Sequence, residues 1–236
     1  MSTLSAPARS RPSVAHAERG GVSALRDLPV AAATALIVLA LALLPLLTPL
    51  WIHPAMSAAG GAAAGATLEQ SLRLSNRTVN ELLFGSGAFG VRFDDGRPLY
   101  GSDEIGHMQD VRLVLFGFLG LAVVAIAGLA LVLATRRSQP STWRAIGRGA
   151  GGLVIGVVLA GTFAALAFGP AFELFHRLLF PGGNWAFDPA QSNLVSLYPL
   201  GFWQLSAAAF GLLAASLGVA VWLLARRRRR RLERST

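Results

Sequence analysis

"YGSDEIGHMQDVRLVLFGFLGLAVVAIAGLALVLATRR" occupies residues 100 to 137. From Leu113 to Ala134 it contains no charged residue, and a helix needs about 20 apolar residues to cross a bilayer. It ends on Arg136 and Arg137 and begins in an acidic segment around His107. The stretch therefore bears on fold, orientation and chemistry together.

Three other runs match it: Leu28 to Leu50, Gly151 to Pro170 and Trp203 to Ala225, again without a charge. Overall, 53% of the chain is hydrophobic and only 14% charged, against about a quarter charged in soluble domains. The prediction is an all-α membrane protein with four transmembrane helices near 28–50, 113–134, 151–170 and 203–225. The first run exceeds the roughly 7–15 residues of a signal-peptide core and is read as an uncleaved helix. With no cysteine in the chain, disulfides, thiolate zinc sites and a cysteine nucleophile are excluded.

Arginines set the orientation. All 21 basic residues are arginine, and 15 of them flank the first span, separate the second from the third, or follow the fourth. Those three regions are predicted to be cytoplasmic, so both termini lie inside and the loops 53–111 and 171–202 outside. The net charge of +9 then reflects topology, and no nucleic-acid partner is expected. Residues 1–25, rich in Ser, Pro, Ala and Arg, are predicted to be a disordered cytoplasmic tail. Residues 26–225 form the membrane domain, and 226–236 an arginine-rich cytoplasmic tail.

Both extracytoplasmic loops carry structure signals. Apolar residues at 68, 72, 79, 82 and 83 fit a short amphipathic helix or a pair of them. Asp95-Gly96 marks a turn, in a hairpin or an irregular loop. Ser102 reads as the N-cap of the second helix, with Asp103 and Glu104 at its positive end. His107 then shares a face with Asp103, Glu104 and Asp110. If the third helix runs on past Pro170, kinked there by the missing N–H, Glu173 and His176 lie at i, i+3.

His107 stands six residues before the second run and His176 six after the third. At the helical rise, both sit about 9 Å beyond the apolar core. Histidines at that level also serve as interfacial belt residues. Two at matched depth, each with carboxylates in reach, make a candidate site. His53, beside Trp51, reads as a belt residue, and His16 has no assigned role. Asn184 and Asp188 have a plainer reading as turn residues. Trp185, Phe187, Tyr198, Phe202 and Trp203 have one as interfacial anchors.

No G-x-S-x-G, H-E-x-x-H, P-loop or dinucleotide motif occurs. A histidine pair suits general acid–base work near neutral pH, and ester linkages of lipids or lipid-modified proteins lie at that depth. Two histidines and a carboxylate also make a possible metal set.

Glu104, His107, Met108, Asp110 and Val111 before the second span, then Phe175, His176 and Phe180, then Trp185, Asp188 and Pro189, form three blocks. Together with the four spans they resemble the bacterial four-helix membrane family that includes the lipoprotein intramolecular transacylases (Lit), over about residues 55–205. Asn193 stands where that family often has aspartate, and Leu200 near a family glutamate.

The resemblance implies transfer of an acyl chain from the diacylglyceryl group of a lipoprotein to its N-terminal cysteine amine. It implies a bacterial cytoplasmic membrane, membrane lipids and diacylglyceryl-modified lipoproteins as partners, and neither cofactor nor metal. His107 and His176 would be the catalytic acid and base. Asp110, Glu104 and Glu173 would orient them. Asn184 or Arg177 would meet the oxyanion, with Asp188 and Trp185 in support. The alternatives are a non-catalytic scaffold or transporter accessory protein, and a metal-dependent lipid hydrolase.

Overall fold

The computed structural model describes residues 15–235. Its four long apolar helices answer the sequence prediction, although their limits differ. α1 (Ala15–Leu43) carries the first span. It tightens into a 3-10 turn at Leu44–Leu47 and restarts as α2 (Pro49–Ala59). The span predicted to reach residue 50 thus ends near 47. Pro45 and Pro49 have no N–H to continue the ladder, and each instead sits in the first turn of a new element. Of the tail predicted to be disordered, residues 1–14 lie outside the described residues. From Ala15 onward the backbone is helical, since extending an existing helix is far easier than nucleating one.

The chain then forms α3 (Leu68–Leu83), and after a tight turn α4 (Ser102–Arg136). α3 is one helix, closed at its start by a capping box. Gln70 N–H donates to Thr67 Oγ1 at 3.2 Å and Thr67 N–H to Gln70 Oε1 at 2.8 Å. The turn at Asp94–Gly96 is hairpin-like. A single antiparallel bridge joins Arg92 to Pro98, and Gly96 takes φ 87°, a left-handed value that suits glycine. The N-cap of α4 is Gly101, one residue earlier than predicted. Its free N–H is met by Glu104 Oε2 at 2.8 Å.

α5 (Pro140–Leu166) starts well before the predicted Gly151 and stops before Pro170. The helix breaks at Ala167 (φ −148°, ψ 63°) and resumes as α6 (Phe168–Leu179). Pro170 therefore falls in the first turn of α6, where no N–H is needed, and produces no kink of its own. α7 (Asn193–Leu197) is a short helix capped by Ser192, and α8 (Leu200–Arg234) carries the fourth span on through the arginine run.

α5 packs against α8 and α1, and α4 against α1. At the arginine-rich end, Arg148 pairs with Asp27 at 3.0 Å. Gly149 lets α5 approach the backbone of Ala31, where any Cβ would collide. Only 11 to 22% of each span's most apolar window is buried within the protein, so lipid must cover the remainder.

The buried core lies at the opposite, loop-bearing end, in a cap built from α2, α3, the turn, α7 and the first turns of α4 and α8. Met56, Leu74, Phe89, Leu99, Met108, Leu197 and Phe202 form its centre. Its polar groups are paired. Tyr100 Oη meets Thr78 Oγ1 at 2.7 Å, and Tyr198 Oη meets Ser75 Oγ at 2.8 Å. Each such bond contributes about 1 kcal/mol net, and leaving one partner alone would cost more.

Candidate active site

His107 lies on the second turn of α4 and His176 near the end of α6, at the edge of the cap. Both rings are buried, at 7% and 8% exposed. Their centroids are 5.9 Å apart with a 31° tilt. The helices do not bring them together unaided, because the break at Ala167 redirects α6 after the span. The 180–192 segment then folds over both rings. Phe180 and Phe187 stand edge-on to His107 at 4.9 and 5.8 Å. Trp185 lies 5.0 Å from His176, and Phe172 4.1 Å from it. The result is an aromatic enclosure around two imidazoles.

The His176 tautomer follows from its surroundings. Nδ1 is 2.8 Å from the carbonyl oxygen of Phe172, one turn earlier. A carbonyl only accepts, so Nδ1 holds the proton and a neutral ring keeps its lone pair on Nε2. Burial is the main influence on this ring and holds its pKa below the ordinary 6.5, while the Phe172 bond opposes the shift. His107 Nδ1 is buried and has no hydrogen-bond partner.

Of the residues predicted to orient the histidines, most have other partners. Glu104 does not hold His107. Its carboxylate accepts from Ser192 Oγ at 2.6 Å, Leu194 N at 2.8 Å and Gly101 N at 2.8 Å, tying the 180–192 segment to α4. Asp103 contacts Ser102 Oγ at the exposed helix start, 3.4 Å away. Asp110 stays near enough for its charge to act on His107, but its hydrogen bond is to Asn184 Nδ2, at 2.8 Å. Glu173 is paired with Arg177, and both are exposed, so neither reaches the rings. Asp188 accepts from Ala190 N and Gln191 Nε2, which is its plainer role as a turn residue. Trp185, the aromatic predicted as support, packs at a tilt against His176. His53 is bonded to Asn76 at 2.8 Å within the cap. Ser192 and Phe172 were missed. Ser192 carries no distinguishing signal, whereas Phe172 precedes His176 by one turn and was legible as a possible acceptor. Among the described residues no group of three or more His, Asp or Glu converges as a metal set.

Comparison with known proteins now adds to this geometry. The family model described as lipoprotein intramolecular transacylase Lit matches residues 73–203, which takes in both histidines. The chain belongs to the Lit family. It is also similar to the solved structure of the membrane integral lipoprotein intramolecular transacylase Lit from Bacillus cereus. The TM-score is 0.71 at 20% identity, covering 92% of this chain and 100% of that one. A variant of the same protein, with one histidine replaced by alanine, aligns with TM-score 0.67 at 19% identity over 94% and 100%. These likenesses establish the shared fold. An uncharacterized protein of Aquifex aeolicus is 29% identical over 132 residues, spanning 56% of this chain and 58% of that relative. Fold, spans and family thus agree on a multi-pass membrane protein of the Lit family.

Proposed function

We propose that this protein is a lipoprotein acyltransferase. It moves an acyl chain from the diacylglyceryl group of a lipoprotein to the α-amine of the same N-terminal cysteine. The single observation that carries this reading is the buried pair His107–His176, enclosed by aromatics, in a chain of the Lit family.

The chemistry is an ester aminolysis. The amine nitrogen attacks the ester carbonyl, a C–N bond forms, and the C–O bond to glycerol breaks. His176, with its lone pair held on Nε2, takes the proton that the nitrogen sheds. His107 protonates the departing glycerol oxygen. Because nucleophile and ester sit on one molecule, proximity supplies much of the acceleration, and no nucleophilic side chain is needed. The aromatic enclosure limits water, favouring aminolysis over hydrolysis.

The cap faces outward in this reading, with both termini cytoplasmic. The support is the arginine distribution, which follows the positive-inside rule. Lipid-anchored substrates then reach the site from the outer leaflet.

The test is mass spectrometry of lipoprotein N-termini from a host lacking its own N-acylation, with the intact protein and with H176A. A lyso, N-acylated peptide made only by the intact protein supports the reading. A diacylglyceryl peptide unchanged by an inserted, intact protein sinks it.

A further inference from the structure

Two buried polar atoms beside the histidine pair have no protein partner: His107 Nδ1 and Asn184 Oδ1. Buried groups of this kind are uncommon in native proteins and call for an explanation. The Asn184 amide is oriented without ambiguity. Its neighbour is the Asp110 carboxylate, at 2.8 Å. An ionised carboxylate only accepts, so Nδ2 must face Asp110 and Oδ1 must face away. That oxygen cannot stabilise an oxyanion, contrary to the role first expected of Asn184.

Asp110 itself forms no ion pair with a basic side chain among the described residues, and Asn184 is its hydrogen-bond donor. Gly106, between His107 and the acidic start of α4, faces Asn184, whose Nδ2 would lie 3.8 Å from a Cβ there. One corner of the site therefore carries a partly exposed carboxylate without an ion-pair partner among the described residues, and an amide oxygen. It also carries a ring nitrogen that accepts when its proton is on Nε2. Three acceptors and one negative charge ask for a cation with several N–H donors.

We infer that Asp110, Asn184 and His107 Nδ1 form the subsite for a primary ammonium, the α-ammonium of the lipoprotein's N-terminal cysteine. This rests on the acyl-transfer reading for the identity of the ammonium, though not for the chemistry of the subsite. It also accounts for the protons. The ammonium passes its first proton to His107 Nδ1; burial and the neighbouring His176 disfavour the resulting imidazolium, and the charge of Asp110 opposes them. The free amine attacks the ester and loses its second proton to His176 Nε2. The His107 Nε2–H goes to the glycerol oxygen as its C–O bond breaks. His107 is left neutral in its other tautomer, and His176 releases one proton to solvent, matching the conversion of ammonium and ester to amide and alcohol.

The test measures binding to the purified full chain in detergent. The probes are two ether-linked, unreactive dialkylglyceryl-cysteine peptides, one with a free α-amine and one N-acetylated. The intact protein should prefer the free amine by about tenfold, the scale of one or two charge-assisted hydrogen bonds. D110N and N184L should bind both peptides alike while keeping the affinity for the acetylated one. Equal binding of both peptides by the intact protein overturns the inference, as does an undiminished preference in both variants. Thermal unfolding confirms which variants are folded, and the near-isosteric D110N decides if N184L is not. Turnover of the ester-linked peptide is followed separately. An intact protein that prefers the ammonium but transfers no acyl chain sinks the acyl-transfer reading and leaves the subsite standing.

Discussion

Two parts of the cap handle buried polar groups in opposite ways. In the α3–α7 core the hydroxyls of Tyr100 and Tyr198 are paired. Glu104 accepts three hydrogen bonds. Beside it, in the same cap, His107 Nδ1 and Asn184 Oδ1 are buried and unpaired. Low dielectric makes either choice consequential. The first region satisfies every such group and so fixes one structure. The second leaves acceptors available to a substrate. The difference teaches where structure ends and function begins.

The largest expected effect breaks the functional side alone. H107A or H176A should lower acyl transfer by about 10²- to 10⁴-fold, the usual range for lost acid–base catalysis. The unfolding temperature should fall only modestly, by the packing of the lost ring, as measured by thermal melts in detergent beside lipopeptide mass spectrometry. A matching drop in stability would mean the pair belongs to the structural region after all.

Glu104→Ala should break the structural side. It strands Ser192 Oγ and two backbone N–H groups, costing roughly 3 kcal/mol, read as a lower thermal midpoint. Unchanged stability would show that the carboxylate does not tie the 180–192 segment to α4.

Acidification separates the two regions by pH. A base must be neutral, and burial holds the His176 pKa below 6.5. The rate should therefore stay level as pH falls to 6.5 and decline only below the folded-state pKa. The unfolded ring takes up its proton first, near 6.5, so the contribution of His176 to stability is present above that value and is lost as pH falls. A rate that declines only above pH 6.5 would remove His176 as the base.

Smallest of all, R177A should change both rate and stability little, within about 0.5 kcal/mol, because its pair with Glu173 is exposed.

The spans and the level of the two histidines were legible because hydropathy and helical rise are local and periodic. The duties of the carboxylates were not. Spacing at i, i+3 shows that Glu104 can reach His107, but its actual donors, Ser192 and Leu194, lie 88 and 90 residues away. Asp110 likewise meets Asn184 across 74 residues. Local sequence tells what a side chain can touch, and the distant chain decides what it does touch. The break at Ala167 was hidden for a related reason. Pro170 drew attention as the breaker, yet the first turn of a new helix is where proline fits best.

That break also interrupts a helical register. In one continuous helix, each residue added to or removed from the span would swing His176 around the axis by more than a quarter of a turn. With an irregular residue between α5 and α6, the aim of the ring depends on the backbone of Ala167 as well as on the helical phase of the span. Ala167 thus stands as the joint between the part of the chain that answers to the lipid and the part that carries His176.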